Sequence, residues 1–131
     1  MKNKFLKIIT LFIVVVLFSG CSKEYFGSSL FYADDFAVDV VDAYPISADA
    51  IKVDFVISNI SSFDYFQGQD GDFYLEFAIR GSRGDEFYNE TPVRTLYSGD
   101  YFRGSMIISI DPYQKYSFNS LTYDIYDAGG Y

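Results

Sequence analysis

The chain contains no histidine, no tryptophan and one cysteine in 131 residues. Without histidine it lacks the commonest general base and the commonest metal ligand. One cysteine cannot form an internal disulfide, and in an oxidising compartment a spare thiol is a liability unless something modifies it. Basic residues are also scarce: 10 Lys and Arg stand against 18 Asp and Glu, a formal net charge of −8. Phosphate binding needs Lys and Arg, so nucleic acid is excluded as a partner and anionic headgroups repel the chain. No residue pattern calls for a cofactor, and no metal site is expected. Beyond the first 20 residues, no window of 11 or more combines helical periodicity with caps, which excludes an α-helical domain.

The N-terminus carries Lys2, Lys4 and Lys7 without an acidic residue, then an apolar run from Ile8 to Phe18 broken only by Thr10. That run is shorter than the roughly 20 apolar residues that cross a bilayer core. Basic residues before it and small residues after it make the flanks of a signal peptide. Leu17-Phe18-Ser19-Gly20-Cys21 resembles the lipobox of bacterial lipoproteins, with Phe18 where that family usually has Leu. The resemblance implies a diacylglycerol thioether on the Cys21 sulfur and cleavage between Gly20 and Cys21. Residues 1–20 would then be removed, and Cys21 would become a lipidated N-terminus anchored in a membrane. Ser22, being other than Asp, implies transfer to the outer membrane in a Gram-negative cell. In a Gram-positive cell the anchor would lie in the outer leaflet of the cell membrane.

Taking 20 residues from 131 leaves 111, close to the commonest size of a single domain. The three leader lysines go too, leaving seven Lys and Arg against 18 Asp and Glu, a net charge of −11. Such a charge serves solubility and spacing from a negative membrane surface. Residues 21–35, with Gly27-Ser28-Ser29, read as a tether, and 36–131 as the domain.

From Phe36 the apolar pattern has period two, the signature of half-buried strands. Phe36-Val38-Val40 share a face and Tyr44-Pro45 is expected to end that strand. Ile51-Val53-Phe55-Ile57 and Phe73-Leu75-Phe77-Ile79 are the clearest inward sets, and Met106-Ile108-Ile110 make another. Turns are expected at Asn59–Ser62, Gly81–Asp85 and Ser98–Asp100. Short strands are expected at Glu86–Tyr88 and Val93–Tyr97, and one or two more between Tyr116 and Tyr126. About seven short strands without helices predict an all-β, immunoglobulin-like antiparallel sandwich. Val53 to Asn59, Ser98-Gly99-Asp100 with Gly104-Ser105-Met106, and Leu121-Thr122-Tyr123 resemble bacterial secreted immunoglobulin-like domains, among them the immunoprotective extracellular antigen family. That resemblance covers about residues 36–127 and implies a fold without catalytic residues.

Tyr and Phe make up the whole 21% aromatic content. Phe55, Phe73 and Phe77 fall on core faces. Tyr65, Phe66, Tyr74, Tyr97, Tyr101, Phe102, Tyr113 and Tyr131 fall on outward or loop positions, where rings suit sugar stacking or protein interfaces. Tyr also has high strand propensity and pairs across strands, which accounts for some of them. Arg83-Gly84-Asp85 has the order found in integrin ligands, yet Gly in a tight turn between solvated charges explains it as well. Asp64, Asp70 and Asp72 offer oxygen ligands, but the calcium-loop spacing is absent. Asn59-Ile60-Ser61 and Asn89-Glu90-Thr91 match the glycosylation triplet, incidentally in a bacterial lipoprotein. The expectation is a non-enzymatic, extracytoplasmic binding module for an envelope protein or glycan, held at the membrane through Cys21. The alternatives are a structural envelope lipoprotein without a ligand and a small acidic inhibitor or immunity protein.

Overall fold

The computed structural model describes residues 31–129. Cys21, the leader, most of the tether and Tyr131 lie outside them. Six strands follow a short 3₁₀ turn at Ala33–Asp35: β1 (Phe36–Ser47), β2 (Ala50–Asn59), β3 (Phe73–Arg80), β4 (Glu86–Pro92), β5 (Tyr101–Ser109) and β6 (Thr122–Asp127). They form two antiparallel sheets of three strands, ordered β1-β2-β5 and β4-β3-β6. The fold is an all-β sandwich of two antiparallel sheets.

The inner faces follow the period-two pattern. Ile51, Val53, Phe55 and Ile57 of β2 are all buried, as are Phe73, Leu75, Phe77 and Ile79 of β3. Met106 and Ile108 of β5 and Ile125 of β6 complete the middle of the core. Phe55 and Phe77 meet across the two sheets with ring centroids 5.4 Å apart. Opposite Phe55 on β5 stands Gly104, where a Cβ would come within 2.7 Å of the Phe55 ring. The glycine makes room for the ring.

Several expected boundaries move. The described residues form six strands, where about seven are expected over the domain. β1 continues through Pro45 to Ser47, because it is an edge strand, where a missing N–H costs no ladder bond. Val93–Tyr97 is not a strand. After Pro92 the Val93 N–H still donates to the Phe73 carbonyl, but beyond it only Leu96 pairs, in an isolated bridge with Tyr65. Val93 and Leu96 are both buried, a spacing of three that no extended strand gives on one face. Between Tyr116 and Tyr126 only β6 forms, while Tyr116 makes one bridge to Gly81. The packed unit also reaches back before β1: Phe31 is buried, 5.9 Å from Phe36 and 5.2 Å from Tyr65.

A candidate binding surface at one end of the sandwich

Residues 60–72 join β2 to β3, and residues 93–100 join β4 to β5, at the same end of the sandwich. β1 begins at that end, since Phe36 pairs with Asn59, the last residue of β2. Asn59 is fully buried and uses every polar atom of its side chain. Its Nδ2 donates to the Phe63 carbonyl at 2.8 Å and to the Leu96 carbonyl at 2.9 Å. Its Oδ1 accepts from the Ser61 N–H at 2.9 Å and the Ser61 hydroxyl at 2.8 Å. One side chain thus ties both loops to the end of a strand, and it is committed too fully to be a glycosylation acceptor.

Tyr65 makes the second tie. The Tyr65 and Leu96 backbones exchange two hydrogen bonds, at 2.8 and 3.0 Å. The Tyr65 ring packs edge-on against Phe36 at 5.0 Å and Phe73 at 5.8 Å. Its hydroxyl donates to the Gly71 carbonyl and accepts from the Phe73 N–H, both at 3.3 Å. Burial pushes the phenol's pKa up. Smaller ties finish the work: the Ser98 N–H donates to Asp64, the Ser98 hydroxyl to the Ser61 carbonyl, and the Gln67 N–H to the Thr95 hydroxyl. Loops with so many internal bonds are rigid presenters of whatever they leave exposed.

They leave aromatic rings exposed. Phe66 and Tyr97, one from each loop, are 40% and 54% accessible with ring centroids 6.1 Å apart. Tyr101, at the start of β5, is exposed beside them in sequence and near the Arg103 guanidinium. Phe63 and Ile60 of the first loop are exposed as well. The pattern of period two did not mark these two, since neither lies on a strand. The same end carries Asp34, Asp35, Asp64, Asp70, Asp72, Asp100 and Asp127, with Arg94 as the cation of its loops. At the opposite end Arg83 and Lys115 offset Asp49, Asp85 and Asp111. The negative charge is therefore concentrated where the exposed rings are.

The remaining expected positions scatter. Tyr65 is corrected from surface to core: it is 0% exposed, because the two loops close over it and give its hydroxyl backbone partners. Phe102 is half-buried under the Arg94 guanidinium, 3.8 Å above its ring, covering a crevice between Ile57, Leu75 and Val93. Tyr74 faces outward on β3 and stacks on Tyr126 at 5.8 Å. Tyr113 is 85% exposed, but at the far end, in the turn after Pro112.

The other motifs are held by local bonds. Asp85 accepts from the Gln114 amide at 2.7 Å, and the Arg83 N–H donates to Gln114 at 3.2 Å, so Gln114 grips this turn. Asp64 and Asp70 receive the Ser98 and Phe66 N–H groups. Among the described residues no three acidic side chains converge so as to hold a cation. A shallow depression of about 320 Å³ lies on the outer face of β1-β2-β5, between Val41, Asp54 and Arg103. The Ser105 hydroxyl there donates to Asp54 at 2.6 Å. In comparisons with protein-family models, with curated proteins and with solved structures, the chain matches none.

Proposed function

We propose that the protein is a membrane-anchored, extracytoplasmic binding module that engages an envelope protein or glycan without catalysis. One observation carries the reading: Phe66 and Tyr97 stay exposed on two loops whose backbones Asn59 and Tyr65 hold fixed. Binding surfaces gain most from aromatic anchors that lose little entropy on association, and a fixed loop meets that condition. Exposed Phe and Tyr without such support would be ordinary surface residues.

The anchor rests on the lipobox-like Leu17–Cys21. About ten residues separate Cys21 from Phe31, roughly 35 Å when extended. Because β1 begins at the loop end, a tether of that length holds the candidate surface near the membrane. This favours a partner that is itself in the envelope. The aspartates of that end keep the surface off anionic lipid, leaving the rings available.

The test is capture from detergent-solubilised envelope fractions by the full chain. A specific protein or glycan should be captured, and Phe66→Ala with Tyr97→Ala should reduce capture at least about tenfold, as loss of two anchor rings does. Tyr113→Ala, at the opposite end, should leave it unchanged. An undiminished yield with the double variant, or no specific partner, refutes the reading. Cys21→Ser should release the domain from the membrane or leave it uncleaved; a variant anchored as before removes the lipid from the proposal.

A further inference from the structure

The two long sides of the sandwich are unlike. On one, β4 lies against β5, and the Asn89 side-chain amide donates to the Ile107 carbonyl across the seam at 2.8 Å. On the other, among the described residues no hydrogen bond joins β1 to β6, and β6 meets the 3₁₀ turn at Ala33–Asp35 that precedes β1. β1 is blunted as an edge by Pro45 and by register shifts at Val40/Asp42 and Pro45/Ser47. β6 is not: it pairs with β3 in unbroken register from Thr122 to Asp127 and contains neither proline nor glycine. Among the described residues no strand lies on its outer side.

A single layer of the core shows what this leaves open. Val40 pairs with Phe55, Phe55 packs on Phe77, and Phe77 pairs with Tyr123 and meets its ring edge-on at 6.3 Å. Both phenylalanines are buried. Val40 and Tyr123 point to the same core, yet are 42% and 51% exposed. The seam between β1 and β6 is therefore apolar inside and leaves Val40 and Tyr123 exposed at its rim.

The outer side of that edge is acidic. Glu76 stands between Glu90 on β4 and Asp124 on β6, directly across both ladders. Partial burial, then Glu90 and Asp124, push the Glu76 carboxyl up. A second copy pairing along β6 would bring a second Asp124 to this row, so like charges disfavour self-association.

We propose that β6 is a strand-acceptor edge for an extended segment of another protein, alternating apolar side chains toward the seam with Lys or Arg toward the Glu76–Asp124 row. In strand addition, main-chain hydrogen bonds supply affinity and alternate side chains supply specificity. The apolar positions of the segment would cover Tyr123, and its cations would neutralise Asp124. This site lies on the side of the sandwich, apart from the loop end, and stands or falls independently of it.

The probe is the peptide acetyl-Lys-Val-Lys-Val-Lys-Val-Lys-amide added to the full chain in detergent, with hydrogen exchange of the β6 amides as the readout. Saturating peptide should slow alternate β6 amides at least about tenfold, as for edge groups entering a ladder. Asp124→Lys, at an exposed position, should weaken binding about tenfold or more through like-charge contact. Tyr123→Ala should weaken it without altering the dependence on salt. The same residues in shuffled order, or Glu in place of Lys, should not bind. Absence of binding, binding without slowed β6 exchange, or equal binding of the shuffled peptide overturns the proposal.

Discussion

Replacing Asn59 by Ala tests the claim that one buried amide fixes the loop end. The substitution removes four hydrogen bonds of 2.8–2.9 Å and leaves a small void. Each such bond is worth about 1 kcal/mol net, which sets an upper figure of about 4 kcal/mol. Both carbonyls keep another partner: Leu96 still accepts from the Tyr65 N–H and Phe63 from the Ser61 hydroxyl. Ser61 is only half-buried, so water can replace its lost acceptor. The expected cost is therefore about 3 kcal/mol, or about 12–24 °C in Tm for a domain near 100 residues. Urea unfolding followed by tyrosine fluorescence measures it, with an unchanged m-value as the sign that the folded state is intact.

Asn59→Asp sharpens the test. It keeps both bonds from Ser61 but aims a carboxylate oxygen at the Phe63 and Leu96 carbonyls in place of two donors. At neutral pH it should cost more than Ala, because the charge is buried and faces acceptors. Protonation restores one donor, so the variant's folded-state pKa lies above its unfolded one. Its stability should be greatest below the usual Asp range, about 3.9, and fall as pH rises through the raised value. An Ala variant costing under about 1 kcal/mol, or an Asp variant as stable as Ala at pH 7, would refute the account of these loops.

Gly104→Ala would place a Cβ 2.7 Å from the Phe55 ring and 2.9 Å from the Phe102 ring, and should cost about 1–3 kcal/mol in thermal melts. Phe55→Leu in the same background should recover part of that loss. Glu76 has a folded-state pKa raised by burial, then by Glu90 and Asp124, so its charge opposes folding. The stability it allows is full below the ordinary Glu range and is lost as pH rises through the raised value. Glu76→Gln should therefore raise Tm at pH 7, with a gain that vanishes in acid. Tyr126 donates to the Glu90 carboxylate, and that bond above all pushes its phenol up to about 12. Ultraviolet titration should show Tyr126 ionising late, as the buried Tyr65 also does, and Glu90→Gln should bring Tyr126 alone back toward 10.

The inward faces were legible because period two sorts residues by face whatever the partner strand is. Ile51 to Ile57 and Phe73 to Ile79 needed nothing beyond alternation. Pairing was not legible, since an alternating strand carries no mark of which neighbour it will have. β2 joining β5, and β3 joining β6, arise when the sandwich closes. Pro45 was misleading for the same reason: it stops a central strand and sits harmlessly in β1, an edge. The loop aromatics failed differently. Tyr65 and Phe66 are adjacent in a stretch without period, one at the bottom of the core and the other on the surface. Only the Leu96 bridge, made with a loop 31 residues away, decides between them.

That pair shows why the aromatic excess is not itself a mark of function. Phe31, Phe36, Tyr65 and Phe73 form one cluster, with centroids 5.0–5.9 Å apart, directly beneath the loop end. Their work is support, and Phe31 brings the start of the described chain into it. Phe66 and Tyr97 can be rigid and exposed at once because other rings fill the space under their backbones. Stability in the cluster and exposure at the tip are then one arrangement: loosening Asn59 or Tyr65 should blunt binding at the tip before the sandwich unfolds. The β6 edge, whose seam depends on Phe55 and Phe77, should be indifferent to such loosening. Two surfaces that respond differently to the same substitution cannot be one site.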